Sequence, residues 1–490
     1  MEFNVQDFAS WDYKDANADS VKGDYELDKG EYTIRVRDTS HRDLSEEITS
    51  ENAVDEYKFN LDANVHQHLD DFSGNRVSNL FTTDNGKYKG EKNGKTRYNS
   101  LRTADRRAEG EAGDPEVLRT RADFDVSTAN AEVASFPKAP KSFVSGEGAT
   151  STTTTGLKFT DEVYKIWQDG DIARLTAVPS KQIDTSSDGL RVNTELVEDA
   201  SQPWYKTKEE IPASWTQAES ATNRNVTLKF ADLRGLDYDD PKFDEFLNQL
   251  TWEEVCSLST ESRASTPALD SFGKDKSVDE DGPNDFGNTH EWCCEVTIAS
   301  TWNKDLAYKE GVINGSISTL RGRTGWYGPG MDRHRSAFSG RNNEYYSQDA
   351  LQGGYIAAEV VKGARSAGCN PMIKHLAFND QETNRGGQSL YVWSSEQNLR
   401  QYERKEFQRA IQEGGATSGR SAYGRITGVA NQSNWYLRTG LLQKEYGWHG
   451  FRITDGFLGR RWCTTVDLMV RAGNGIVYKT EPWYDPLPAN

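Results

Sequence analysis

Beyond residue 235, short apolar runs alternate with segments of helical periodicity, and this alternation restricts the fold more than any other feature of the chain. The runs are Val296-Thr-Ile-Ala299, Gly325-Trp-Tyr327, Met372-Ile373, Ser421-Ala-Tyr423 and Phe451-Arg-Ile453. The spacing predicts one helix over about 347–366, stopping at Gly368. It predicts another from Ser395 to Glu413, with Leu399, Tyr402, Phe407, Ala410 and Ile411 on one side and Gly414-Gly415 as a C-cap. Upstream, Phe243, Phe246, Leu247 and Leu250 fall at helical spacing, and Thr251-Trp-Glu-Glu254 has the form of a capping box. Short strands alternating with helices of this length make parallel βα units, which close into a barrel or open into a doubly wound sheet.

In either arrangement the C-terminal ends of the strands carry the chemistry, so the polar residues placed there are the candidate site. In WHGFRITDGF, Trp448 to Phe457, Asp455 stands where a strand ends and a glycine lets the backbone turn; it reads equally as a catalytic carboxylate or as a helix cap. Lys374, His375, Asn379, Gln381, Glu382 and Arg385 follow Met372-Ile373. His334, Arg335 and the run from Gly340 to Tyr346 follow Gly325-Trp-Tyr327, Tyr423 and Arg425 follow Ser421-Ala422, and Asp281-Gly-Pro283 lies ahead of them all. There is no glycine-rich phosphate loop and no H-x-x-x-H spacing, so no metal or cofactor is expected. Cations, amides, aromatics and carboxylates together suit a small polyhydroxylated ligand. Adjacent strand residues face opposite ways, so Lys374 and His375 share a ligand only if the strand ends, kinks or contains a cis peptide there.

The 490 residues leave room for more than this unit, and the low apolar fraction of 35% implies that part of the chain is polar extension. Residues 1–45 read as strands: Phe3 and Val5, then Tyr32, Ile34 and Val36, alternate with polar neighbours. So short a piece cannot stand alone, and partner strands from elsewhere are expected. Residues 46–234 read as an extended, partly irregular wrapping segment, and 235–490 as the regular α/β unit. With 76 acidic against 58 basic residues the net charge of −18 excludes a polyanion partner, so no nucleic acid is expected. The five cysteines form no C-x-x-C pair and read as reduced thiols. The first residues lack a secretory pattern and no apolar run approaches a bilayer span, so a soluble, cytoplasmic chain without a membrane partner is expected.

Five stretches resemble, in order, the N-terminal barrel domain of glycoside hydrolase family 3, the β-glucosidase family. They are Asp281-Gly-Pro283, EVTIASTW from Glu295, GPGMDRHRSAFSGRNNEYYSQD from Gly328, KHLAFNDQETNR from Lys374, and GFRITDG from Gly450. The resemblance implies a TIM-like (β/α) barrel. It makes Asp455 the nucleophile and places Asp281, Arg341, Lys374, His375 and Tyr423 around the sugar. KHLAFN lacks the second histidine of the family's N-acetylglucosaminidase branch, which favours a glucosidase-like reading. The chain departs from the pattern at Gly456, where the family usually has Trp, and also at Arg420, Gly424, Ala337 and Gly475. Substrate identity is open on these grounds, with Phe457 or another ring standing in for the missing aromatic. FNVQDFASWDY with YELDKGEYTIRV resembles the closing half of the family's fibronectin-III-like β-sandwich, as in the branch with reversed domain order.

On this resemblance the chain is expected to be a retaining glycosidase subunit. Such an enzyme needs a second carboxyl group as general acid. In the family this is typically a Glu on an α/β sandwich, which this chain is expected to lack. The expected partner is therefore a second polypeptide carrying that sandwich and its Glu, with Glu344 and Glu382 as substitutes within the chain. The opposing expectation is a catalytically inactive sugar-binding or scaffold protein on the same fold.

Overall fold

The computed structural model describes residues 4–36, 55–80, 91–96, 224–286, 291–382, 391–456 and 469–478, with short gaps inside these stretches. Most of the predicted wrapping segment, including 97–223, lies outside the described residues, as do Arg385 and Phe457.

Near the N-terminus, β1 (Ser10–Asp12), β2 (Asp24–Leu27) and β5 (Val65–Gln67) form an antiparallel sheet in the order β1-β2-β5. β3 (Gly30–Val36) pairs with β4 (Asp55–Leu61) over its whole length. The partner strands therefore come from this chain itself, which corrects the expectation that they must be supplied from elsewhere. Trp11, Tyr13, Tyr25, Leu27 and Val77 form the small core. The sheet is fastened to the rest of the molecule by buried charge: Lys405 Nζ lies 3.0 Å from Asp7, which also pairs with Arg409, and the Arg400 guanidinium lies 3.7 Å from the centre of the Trp11 ring.

The second unit is a five-stranded parallel sheet of β6 (Asp279–Asp281), β7 (Gly325–Tyr327), β8 (Asn370–Leu376), β9 (Ser418–Ser421) and β10 (Phe451–Ile453), in the order β10-β9-β8-β7-β6. Spatial order follows chain order without reversal. A doubly wound sheet reverses at a switch point, so this is the winding of a barrel. The predicted capping box is present: Thr251 N donates to Glu254 Oε2 (2.9 Å) and Glu254 N to Thr251 Oγ1 (3.2 Å), opening α1 (Trp252–Thr260).

Two elements differ from the sequence reading. The run Val296–Ala299 is one turn of helix, Glu295–Ala299, not a strand; a four-residue apolar run satisfies either period. Helix α2 (Lys304–Leu320) was not predicted, because its buried positions hold Ala307, Glu310, Gly311, Asn314, Gly315 and Ser318 and show no apolar stripe. Asn303 caps it through Leu306 N, and Asp349 caps the predicted helix α3 (Ala350–Ser366) through Leu351 N and Gln352 N. Glycines let α2 and α3 come together: a Cβ on Gly311 would stand 2.1 Å from Val360 O, and one on Gly363 2.1 Å from Tyr308 O. Among the described residues no helix is long and apolar enough to cross a membrane.

Because backbone carbonyls cannot move aside as side-chain tips do, Gly311→Ala or Gly363→Ala is expected to cost about 1–3 kcal/mol, read as a lower urea midpoint at unchanged m-value.

Candidate active site

Four of the five parallel strands deliver a polar side chain at or just beyond the C-terminal end. Asp281 closes β6, Lys374 and His375 lie near the end of β8, Arg420 lies in β9 with Tyr423 just after it, and Asp455 follows β10 by two residues. Lys374 Nζ, almost fully buried, donates to Asp281 Oδ1 at 2.9 Å. Arg420 Nη1 lies 3.3 Å from both Asp281 oxygens, and its Nη2 donates to Asp455 Oδ1. In a flat sheet β6 and β9, three strand spacings apart, would be separated by about 14 Å. A direct contact between their side chains therefore requires the sheet to curl, as in a barrel.

Arg420 is walled by aromatic rings, with its guanidinium carbon 4.9 Å from the Tyr327 centroid and 5.5 Å from that of Tyr478. Gly456 N also donates to Asp455 Oδ1 (2.7 Å), and the Tyr423 hydroxyl donates to the Gly456 carbonyl. The backbone beside Asp455 is thus tied to the end of β9. Desolvation acts to raise the Asp281 carboxyl, but the charges of Lys374 and Arg420 outweigh it and hold the group well below the ordinary carboxylate range. In the structure the Lys374 ammonium sits on Asp281, and the guanidinium on Asp455 is that of Arg420.

The Lys374–His375 peptide is cis, as is Leu376–Ala377. His375 Nε2 lies 3.3 Å from Arg341 Nη1, and its Nδ1 lies 3.3 Å from the Tyr345 hydroxyl. Behind this pair Asp332 accepts from His375 N (2.8 Å) and Asn379 N (2.9 Å); burial, working against those two donors, pushes its carboxyl up to about 8. Arg341 also holds Glu344, with Nε 3.1 Å from Oε2, and lies 3.7 Å from Glu382 Oε1. All six predicted residues therefore fall into two linked groups. Lys374, Asp281, Asp455 and Tyr423 meet around Arg420 or beside Asp455, and Arg341 meets His375.

Arg420 was read from sequence as a departure and not as a member of the site. Its strand begins three residues earlier than the apolar run suggested, because the Ser418-Gly-Arg-Ser421 strand is buried yet polar, with Ser418 Oγ bonded to Asn370 Oδ1 and Pro371 O. Asp332 was missed as well; the only signal was its place in the Gly328–Asp349 stretch.

Residues 284–463 match the family model described as the glycosyl hydrolase family 3 N terminal domain. The chain is 30% identical over 234 residues to a beta-glucosidase of Rhizobium radiobacter, covering 46% of this chain and 28% of the relative. It is 32% identical over 232 residues to the probable beta-glucosidase K of Emericella nidulans, covering 46% and 27%. The chain thus spans less than a third of the length of these relatives. A beta-glucosidase from Paenibacillus barengoltzii shares the fold with a TM-score of 0.57 at 20% identity, over 96% of this chain and 42% of that one. Residues 284–463 are thus similar to the glycosyl hydrolase family 3 N terminal domain, and over the matched region the chain resembles beta-glucosidases.

Removing the guanidinium would delete the Arg420–Asp455 ion pair from a buried site, so Arg420→Met is expected to cost about 3 kcal/mol in urea unfolding at pH 7. Asp281, depressed in the folded state, adds stability that is complete above the ordinary carboxylate value near 4 and is lost as pH falls towards the folded value. The same variant should therefore lose less stability than the native protein when unfolding is repeated at pH 3.

Proposed function

We propose that this chain is the nucleophile-bearing part of a retaining glycosidase acting on β-linked glucosides or related β-glycosides. The observation that carries the reading is Asp455: a carboxylate 4% exposed, just beyond a parallel strand, beside Arg420, the Asp281–Lys374 pair and the Tyr423 contact. Its Oδ attacks the anomeric carbon while the bond to the leaving oxygen breaks and an acid protonates that oxygen. Water then releases the glycosyl-enzyme ester. Asp281, Lys374, His375, Arg341 and Tyr423 are assigned to the sugar hydroxyls. With Oδ1 held by Arg420 and Gly456 N, Oδ2 is assigned to the attack.

The acid is assigned to a second polypeptide. The two carboxyl groups of this chain considered as substitutes, Glu344 and Glu382, are both engaged by Arg341. A Glu used as an ion-pair partner would have to leave it before protonating a leaving group. The N-terminal sheets are assigned to part of a fibronectin-III-like module built from strands of this chain. The free cysteines among the described residues, Cys256, Cys293, Cys294 and Cys369, support a cytosolic setting.

Incubation with a 2-fluoro-β-glucoside should add one fluoroglycosyl mass to the chain, read by intact mass and mapped to Asp455, and Asp455→Asn should abolish the adduct. Absence of an adduct with every co-purifying partner present would leave a sugar-binding or scaffold role. Turnover by the assembled protein should fall about 10³-fold or more in Asp455→Asn. Full activity from the chain as an isolated monomer would exclude the partner-supplied acid.

A further inference from the structure

We infer that Arg420 is a positioning residue for the second half of the proposed reaction: it stabilises Asp455 as the leaving group when water releases the sugar. Release of the glycosyl-enzyme, rather than its formation, is then the step that depends on the guanidinium. This role rests on the reading of Asp455 as the nucleophile of a retaining glycosidase.

In the parallel register of β9 and β10, Arg420 stands opposite Ile453, two residues short of Asp455, so its side chain reaches forward along the neighbouring strand to the carboxylate. It is held there from several sides. Arg420 is 7% exposed, and its guanidinium is walled by the Tyr327 and Tyr478 rings. Nη1 lies 3.3 Å from each Asp281 oxygen while Nη2 donates to Asp455 Oδ1, and Asp281 is itself fixed by Lys374 Nζ at 2.9 Å. A guanidinium packed against two rings and anchored on a second carboxylate keeps its place beside Asp455 as the charge on Asp455 changes.

Asp455 Oδ1 accepts from two donors that respond differently to that change. Gly456 N, 2.7 Å away, is a neutral donor and serves a carboxylate oxygen and an ester carbonyl alike. The Arg420 bond is charge-assisted, at full strength only while its acceptor carries negative charge. When Oδ2 attacks the anomeric carbon, the electron pair that forms the new C–O bond leaves the carboxyl group neutral, and the Arg420 interaction weakens. In the second step a water oxygen bonds to the anomeric carbon, and its proton passes to the base left when the acid gave up its own. The C–Oδ2 bond breaks, and its electron pair returns to Asp455, where resonance spreads the charge onto Oδ1 and into the Arg420 bond. An interaction that weakens on the way to a transition state slows that step, and one that strengthens accelerates it. Arg420 therefore opposes attack and favours release.

The test uses the protein with every co-purifying partner and a dinitrophenyl 2-fluoro-β-glucoside, whose phenolate leaves without a proton. Intact mass gives the rate of adduct formation at saturating reagent and the rate of adduct loss once the reagent is removed. In Arg420→Met the ratio of formation to loss should rise at least about tenfold, and in Arg420→Gln, which keeps a donor but not the charge, at least about threefold. Arg420→Lys, which keeps the charge, should stay within about twofold of the native ratio. A side chain that only held the fold together would slow both steps alike, since Asp455 takes part in both, and would leave the ratio where it was. If Arg420→Met does not fold, the comparison of Gln with Lys reads the same charge. With an adduct on the native protein, an unchanged or lower ratio in the Met or Gln variant, or a Lys ratio as high as that of Gln, would overturn the role of Arg420 alone. Absence of any adduct on the native protein would remove the proposed nucleophile, and this role with it.

Discussion

One guanidinium ties together strands that the chain order holds apart. Arg420, on β9, reaches Asp455 beyond the neighbouring β10 and Asp281 on β6, the opposite edge of the five-stranded sheet. This contact exists only if the sheet is curled, and once made it opposes uncurling, because separation would strand buried charge. The same contact brings the residues of the candidate site within reach of one ligand. Curvature and site are thus two descriptions of one arrangement of charges.

Charge also fastens the N-terminal sheet. Arg400 donates to Glu396 at 2.8 Å, pairs with Glu445, accepts the Trp11 ring against its face and reaches Ser78 O at 2.5 Å. Asp7 holds Lys405 and Arg409, and Gln408 reaches Asp70 at 3.0 Å. Arg400, Lys405, Gln408 and Arg409 are all buried. Burial without such partners would cost several kcal/mol per charge, so the pairing specifies how the two parts meet.

The legible part of the fold was the part with strong periodicity. Helix α3 buries Ile356, Ala357, Val360, Val361 and Ala364 and was predicted within three residues of its start. Helix α2 was invisible, since a helix that packs through glycines on its neighbour presents no apolar stripe. The strand β6 reads Asp-Glu-Asp and β9 reads Ser-Gly-Arg-Ser, and neither carries the apolar pattern of a strand; of their side chains, Asp281 and Arg420 reach the site. At the site, Asp281, Arg341, Lys374, His375, Tyr423 and Asp455 were named from motifs, and all six meet at least one other predicted residue, Arg420, or the backbone beside Asp455. Their pairings were not legible, since which cation meets which carboxylate depends on distances across strands whose paired residues lie 35, 93 and 139 positions apart.

The sequence by itself determined the alternation of strand and helix, the carboxylate at the end of β10, and the likeness of the region around it to glycosyl hydrolase family 3. These rest on local spacing and on residue types, which a linear chain displays directly. Only the tertiary structure decided that the sheet curls in chain order, that Arg420 stands between Asp281 and Asp455, that Arg341 engages Glu344 and Glu382, and that strands from residues 55–67 complete the N-terminal sheets. All but the Arg341–Glu344 pair are contacts between distant segments, set by burial and charge pairing in three dimensions, and local pattern carries no record of them.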